Sequence, residues 1–85
     1  MAYEVVLLRS AARELTDLPA EVQRRVTRAI DGLVDDPRPR GSKPLVGGDG
    51  TWRVRVGDYR ILYRVDDDRV EVLVIRIRHR SDAYR

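Results

Sequence analysis

Apolar positions along this chain follow two rhythms, a helical one near the start and a strict alternation near the end. Tyr3 to Arg9 (YEVVLLR) is a β-branched, apolar run of strand length. Ser10, a residue suited to capping a helix, follows it. Ala11, Ala12, Leu15 and Leu18 then recur at helical spacing, which predicts a first helix ending near Leu18. Pro19 fits a second helix start, with Val22, Val26, Ala29, Ile30 and Leu33 on one stripe and Arg24, Arg25, Arg28 and Asp31 facing elsewhere, until Pro37 ends it. Residues 37–50 (PRPRGSKPLVGGDG) hold three of the four prolines and four of the six glycines, and they read as a connecting loop. Alternation takes over in runs at about 51–57, 59–66 and 69–77, separated by GD and DDD turn signals, as in an antiparallel meander. That order predicts an α+β fold in which an N-terminal strand and a two-helix hairpin join a three-stranded antiparallel meander, all in one domain spanning residues 1–85.

The alternating region WRVRVGDYRILYRV (Trp52 to Val65) carries the candidate chemistry. A two-residue GD hairpin sets Val56 opposite Tyr59, Val54 opposite Ile61 and Trp52 opposite Tyr63, so these six side chains share the core face. The reverse face collects Arg53, Arg55, Arg60 and Arg64 around Leu62, with Arg55 directly across from Arg60. Like charges so placed destabilise a sheet unless water screens them or a bound anion relieves them. The next turn sets how far the patch extends. A two-residue turn after Asp66 sends Ile75 and Ile77 to the Arg60 face, whereas a three-residue DDD turn or a bulge sends Arg76, Arg78 and Arg80 there. With six or seven arginines the face would resemble a phosphate-binding surface; otherwise it reads as a solvated face laced with salt bridges. Pattern alone leaves both readings open.

Composition narrows the classes. In 85 residues there is no cysteine, so one small core must hold the fold without disulfides, and thiolate zinc sites are excluded. The longest apolar run, Val72 to Ile75, is too short to span a bilayer, and the N-terminus has no secretory-signal pattern, which makes the cytoplasm the expected compartment. Net charge is +3, yet residues 1–50 are balanced with eight basic and eight acidic side chains, while residues 51–85 carry nine basic against six acidic. Sixteen of the seventeen basic residues are arginine, whose planar fork matches phosphate oxygens, although codon bias accounts for much of that count. No glycine-rich phosphate loop, Ser/His/Asp arrangement or metal-spaced carboxylate cluster appears outside the Asp66–Asp68 turn, so no cofactor or metal is implied. The terminal RHRSDAYR adds the only histidine, His79, as a possible base, and Tyr84, which could stack on a nucleobase or pin the tail to the sheet.

The element order, the stretch GTWRVRVGDYRILYRV and the terminal HRSDAYR together resemble the RelE/ParE superfamily of type II toxins over nearly the whole chain. The paired basic residues of WRVR, the GDYRILY hairpin and the closing HR…Y resemble the RelE branch in particular. The resemblance implies a ribosome-dependent endoribonuclease that cuts mRNA in the decoding site and is held inactive by a cognate, RelB-like antitoxin, with operator DNA bound only by the toxin–antitoxin complex. Carried over, the family's basic pair falls on Arg53 and Arg55, and its hairpin arginine on Arg60. Its C-terminal arginine falls on Arg80, with Arg78 as the alternative, and its terminal tyrosine on Tyr84. Attack of a ribose 2′-hydroxyl on the adjacent phosphate requires a base, an acid and cationic stabilisation of the phosphorane. Arg60 and Arg80 suit the electrostatic part, and His79 or Tyr84 would assist proton transfer. Arg53, Arg55, Arg64, Arg76 and Arg78 would bind RNA. Where the RelE branch has lysines this chain has Arg53 and Arg55, and a guanidinium is a poor general base. The alternatives are a ParE-like inhibitor of DNA gyrase and a non-catalytic nucleic-acid-binding module.

Overall fold

A computed structural model describes residues 2–47 and 50–81. Two helices, α1 (Arg9–Thr16) and α2 (Ala20–Gly32), pack on one face of a five-stranded sheet. Its strands are β1 (Glu4–Leu7), β2 (Lys43–Pro44), β3 (Thr51–Val56), β4 (Tyr59–Asp66) and β5 (Glu71–His79), arranged in the order β1-β5-β4-β3-β2. The meander β3-β4-β5 is antiparallel, and β1 lies parallel to β5, with Val5 beside Val72 and Leu7 beside Val74. Among the described residues no helix is long and apolar enough to cross a membrane.

Three features depart from the sequence expectation. The loop at 37–50 contains β2, whose two residues pair antiparallel with β3. Ser10 does not cap α1: the cap position is Leu8, and the Ser10 hydroxyl donates instead to the Ile75 carbonyl at 3.2 Å. The third meander strand begins at Glu71, because the turn takes four residues, Asp67 to Val70, held by the Asp66 carboxylate accepting from the N–H groups of Asp68 and Arg69. The first hairpin turn is the expected two-residue one. Gly57 has φ 61 and Asp58 does not share the left-handed region, the pattern of a type II′ turn.

Alternation places the core. Val54, Ile61, Tyr63, Val72, Val74 and Ile77 from the sheet meet Ala11 of α1 and Val26, Ile30 and Leu33 of the second helical segment, all buried. Helix α1 also finishes the sheet edge. β1 stops at Leu7 while β5 continues, which leaves backbone groups of β5 without a strand neighbour. The Leu8 N–H donates to the Val74 carbonyl, Ser10 covers the Ile75 carbonyl, and Glu14 Oε1 accepts from the Ile77 N–H at 2.9 Å. Buried or edge backbone groups need such partners, and here the Leu8 N–H at the cap and two side chains of α1 supply them.

At the opposite end of the sheet Arg38 forks onto Asp67, with Nη1 and Nη2 at 3.2 and 2.9 Å from its two oxygens, and its guanidinium lies 5.3 Å from the Trp52 ring. The Tyr3 hydroxyl donates to the same carboxylate at 2.8 Å. The Arg38 bonds, then the Tyr3 bond, hold the Asp67 carboxyl below the usual aspartate range, and accepting that bond from Tyr3 pushes the phenol upward. This cluster ties the β4–β5 turn to the start of β1 and to the segment after α2.

Candidate nucleic-acid interface

The face of the sheet away from the helices is organised by strand register. One cross-strand row reads Lys43, Arg53, Leu62, Arg76; the next reads Arg55, Arg60, Arg78. Neighbours within a row stand roughly 5 Å apart at the backbone, so six cationic side chains crowd one end of a single face. Arg64, further along β4, pairs with Thr51 in register, and its Nε lies 3.4 Å from the Thr51 hydroxyl.

A β-bulge creates this arrangement. From Asp66 opposite Glu71 to Tyr63 opposite Val74 the pairing is regular, and Leu62 then pairs with Arg76, leaving Ile75 extra. Without the extra residue Ile61 would face Arg76 and Arg60 would face Ile77, which would bury one arginine in the core. The bulge restores apolar pairing below the sheet and sets Arg78 across from Arg60 above it. Of the two registers open from the sequence, this is the one that extends the patch.

Four of the basic residues, Lys43, Arg53, Arg55 and Arg60, line a shallow depression of about 160 Å³ together with Gly41. Arg55 is oriented by its own turn, its Nε donating to the Gly57 carbonyl at 2.8 Å. Among the described residues, Lys43 and Arg53 have no carboxylate partner. Arg76 and Arg78 do: Glu14 Oε2 lies 3.3 Å from Arg76 Nη1 and 3.6 Å from Arg78 Nε. Glu14 is the least exposed member of this trio, with 23% of its side-chain surface accessible against 43% and 37% for the arginines. A second hollow of about 340 Å³ beside it, lined by Arg9, Ser10, Arg13, Glu14 and Arg76, carries the basic surface onto α1.

A cleft-like cationic surface with no carboxylate on two of its members can bind phosphodiesters and stabilise charge on a phosphorus centre. Residues 5–84 match the family model described as the ParE toxin of the type II toxin-antitoxin system parDE. The toxin RelG of Mycobacterium tuberculosis is 37% identical over 86 residues, spanning 100% of this chain and 99% of RelG. The chain belongs to the RelE/ParE superfamily of type II toxins. Its relatives place it in the RelE branch. The RelBE2 toxin-antitoxin complex from the same organism superposes with a TM-score of 0.81 at 36% identity over 93% of this chain and 99% of that one. The archaeal RelE-RelB complex from Pyrococcus horikoshii OT3 gives 0.84 at 28% identity over 96% and 99%.

Not every expected residue of this RelE-branch toxin reaches the arginine face. Arg53, Arg55, Arg60, Arg76 and Arg78 do. Arg80 follows the end of β5, where its N–H donates to the Asp58 carbonyl at 2.7 Å, and it is Arg78 that stands directly across from Arg60. His79 is on the other side of the sheet. It pairs with Tyr59, the two rings edge to face with centroids 5.1 Å apart. Its Nδ1 accepts from the Ser81 N–H at 3.2 Å and lies 2.8 Å from the Ser81 hydroxyl, an arrangement that leaves the ring proton of a neutral imidazole on Nε2. Side chains alternate along β5, so His79 lies on the face opposite Arg78 and is not brought together with Arg60 and Arg78. Tyr84 lies outside the described residues.

Two residues of the face escaped sequence reasoning. Lys43 sits in a proline- and glycine-rich loop with no periodicity, and only the two-residue β2 brings it beside Arg53. Glu14 reads as an ordinary polar position of α1. The one signal available for Lys43 was its being the chain's sole lysine.

Proposed function

We propose that this toxin is a ribosome-dependent endoribonuclease that cuts mRNA in the decoding site of the ribosome, in the cytoplasm, through attack of a ribose 2′-hydroxyl on the adjacent phosphate. The observation that carries the reading is Arg60 set between Arg55 and Arg78 in one cross-strand row, at the basic depression of about 160 Å³ that it lines with Lys43, Arg53 and Arg55. As the 2′ oxygen bonds to phosphorus, negative charge grows on the non-bridging oxygens, and fixed guanidinium donors meet it without reorganising. Arg60 and Arg78 take that role. Arg53 and Arg55 hold the flanking backbone, and Arg76, Arg64 and Arg80 extend the footprint.

The partner in this reading is a cognate antitoxin of the RelB kind, since the solved relatives above are complexes of RelE with RelB. A segment that folds on binding and presents acidic and apolar side chains would complement a small domain with a basic sheet face.

Purified chain added to programmed ribosomes, followed by mapping of mRNA ends, tests the activity. Expected is cleavage at a codon in the decoding site that requires the ribosome. The matching family model carries the ParE name, so a gyrase supercoiling assay runs in parallel. Intact mRNA with inhibited gyrase would transfer the toxin to a gyrase-directed function, and neither effect would leave a binding module.

A further inference from the structure

Breaking the phosphorus–5′ oxygen bond leaves an alkoxide, and that oxygen must acquire a proton. The arginines of the depression are ill suited to give one, because a guanidinium holds its proton through the whole working pH range. His79 faces the other side of the sheet. Among the described residues lining the depression, Lys43 alone carries an ammonium, which can give up a proton to a strongly basic alkoxide where a guanidinium does not.

Its placement is fixed by local structure. Ser42 anchors the preceding turn twice on one acceptor: its N–H lies 2.9 Å from the Pro39 carbonyl and its hydroxyl 2.7 Å from the same oxygen. On the other side the Leu45 N–H donates to the Thr51 carbonyl at 2.8 Å. Between these anchors Lys43 pairs directly with Arg53, so both side chains rise on the arginine face. Gly41, with φ 92, turns the chain into this approach and leaves that wall of the depression open, nothing lying within 4 Å of where a Cβ would be.

Resting on the nuclease reading above, we propose that Lys43 is the general acid of the cleavage reaction, protonating the departing 5′ oxygen. The 2′ oxygen forms a bond to phosphorus and gives its proton to solvent water, while the bond from phosphorus to the 5′ oxygen breaks. That oxygen takes a proton from Lys43 Nζ, which is recharged from solvent. The products are a 2′,3′-cyclic phosphate and a free 5′-hydroxyl, and no redox change occurs.

The test uses the full chain, programmed ribosomes, and an mRNA carrying one scissile linkage, either ordinary or with sulfur replacing the bridging 5′ oxygen. A thiolate leaves without protonation. Lys43→Ala and Lys43→Arg are expected to slow cleavage of the oxygen linkage on the order of 10²-fold or more, and to cut the sulfur linkage within about threefold of the parent chain. Lys43→Arg keeps the charge, so its defect isolates proton donation from phosphate attraction. Equal losses on both linkages would overturn the proposal in favour of a phosphate contact, and unaltered rates would remove Lys43 from the reaction. Were the parent chain to cut neither linkage, the nuclease reading itself would fall, and this proposal with it.

Discussion

Arg60 and Ile61 are adjacent in the chain and belong to opposite worlds. Ile61 is fully buried beneath the sheet, between Val54 and Ile77 across the strands, whereas Arg60 stands above it between Arg55 and Arg78. The lower face is organised for packing and, among the described residues, has no charged member in its buried set; the upper face concentrates like charge, with Glu14 set against Arg76 and Arg78 at its margin. Like charges in adjacent strands oppose folding, so the upper face costs stability that the lower face must cover. A small domain separates stability from function in this way with the least conflict, one strand residue at a time.

Two substitutions one residue apart break the comparison if it is wrong. Ile61→Ala should lower unfolding free energy by about 2–5 kcal/mol, read from urea denaturation, a large share of the roughly 4–13 kcal/mol expected for a chain this size. Arg60→Ala should leave the denaturation midpoint near that of the parent. It should instead slow ribosome-dependent cleavage on the order of 10²–10³-fold, by analogy with removal of an oxyanion donor. If Ile61→Ala cut mRNA poorly even under conditions where it is folded, or if Arg60→Ala unfolded the chain, the division between faces would fail.

How much of this division the sequence displayed depends on the range over which its physics acts. Alternation in β3 and β4 is local, so Trp52, Val54 and Val56 could be separated from Arg53 and Arg55 by counting alone. The helical stripe through Val26, Ile30 and Leu33 is local too. The bulge at Ile75 is different in kind. Nothing in Ile75 marks it as extra; it arises because apolar residues on both sides of the irregularity must all reach the core, a constraint set by the whole sheet. His79 shows the consequence. His79, a candidate for proton transfer, pairs with Tyr59 on the face opposite Arg78, because neighbouring residues of one strand alternate. Lys43 and Glu14 were out of reach because each enters the face through tertiary placement, one by a two-residue strand and the other from a helix covering a sheet edge.

Glu14 offers a finer probe, since it is the acidic exception beside the basic face. Its Oε1 serves the Ile77 N–H while Oε2 occupies Arg76 and Arg78. Glu14→Gln keeps an oxygen for that N–H and removes the charge. Stability should change by less than about 1 kcal/mol, as for other partly exposed ion pairs. RNA affinity should rise, and the slope of log affinity against log salt should steepen by about one to two phosphate equivalents as the two arginines are released to RNA. An unchanged slope would mean that Arg76 and Arg78 are committed to the fold rather than to the upper face.

At the far end of the sheet the Asp67 cluster predicts an acid-sensitive contribution to stability. Its carboxyl is held below the ordinary range by Arg38 and Tyr3, so the folded state binds its proton less readily than the unfolded chain does. The resulting stabilisation is fully present above the unfolded value of about 3.9 and is lost as pH falls through the lower, folded value. The parent chain should therefore exceed Asp67→Asn in urea midpoint by a constant margin from neutrality to about pH 5. The margin should close below about pH 4. A margin that persisted unchanged into acid would assign the effect to shape and not to charge.

The smallest expected effect concerns the Tyr63 hydroxyl, a polar side-chain group buried in the lower face. Tyr63 is fully buried, and among the described residues its hydroxyl has no hydrogen-bond partner. The Ser42 hydroxyl donates to the Pro39 carbonyl, which leaves its lone pairs able to accept from the phenol, and its hydrogen-bonding influence holds the phenol down against burial. Burial raises the phenol above its usual range, in keeping with a group that gains nothing from ionising there. A buried donor without a partner costs about 1–3 kcal/mol, while the ring itself contributes packing. Tyr63→Phe should accordingly leave the urea midpoint unchanged or raise it slightly, with cleavage intact because the ring points away from Arg60. A loss of more than about 1 kcal/mol would mean that the hydroxyl is satisfied by Ser42 or an ordered water and that the lower face holds a polar contact after all.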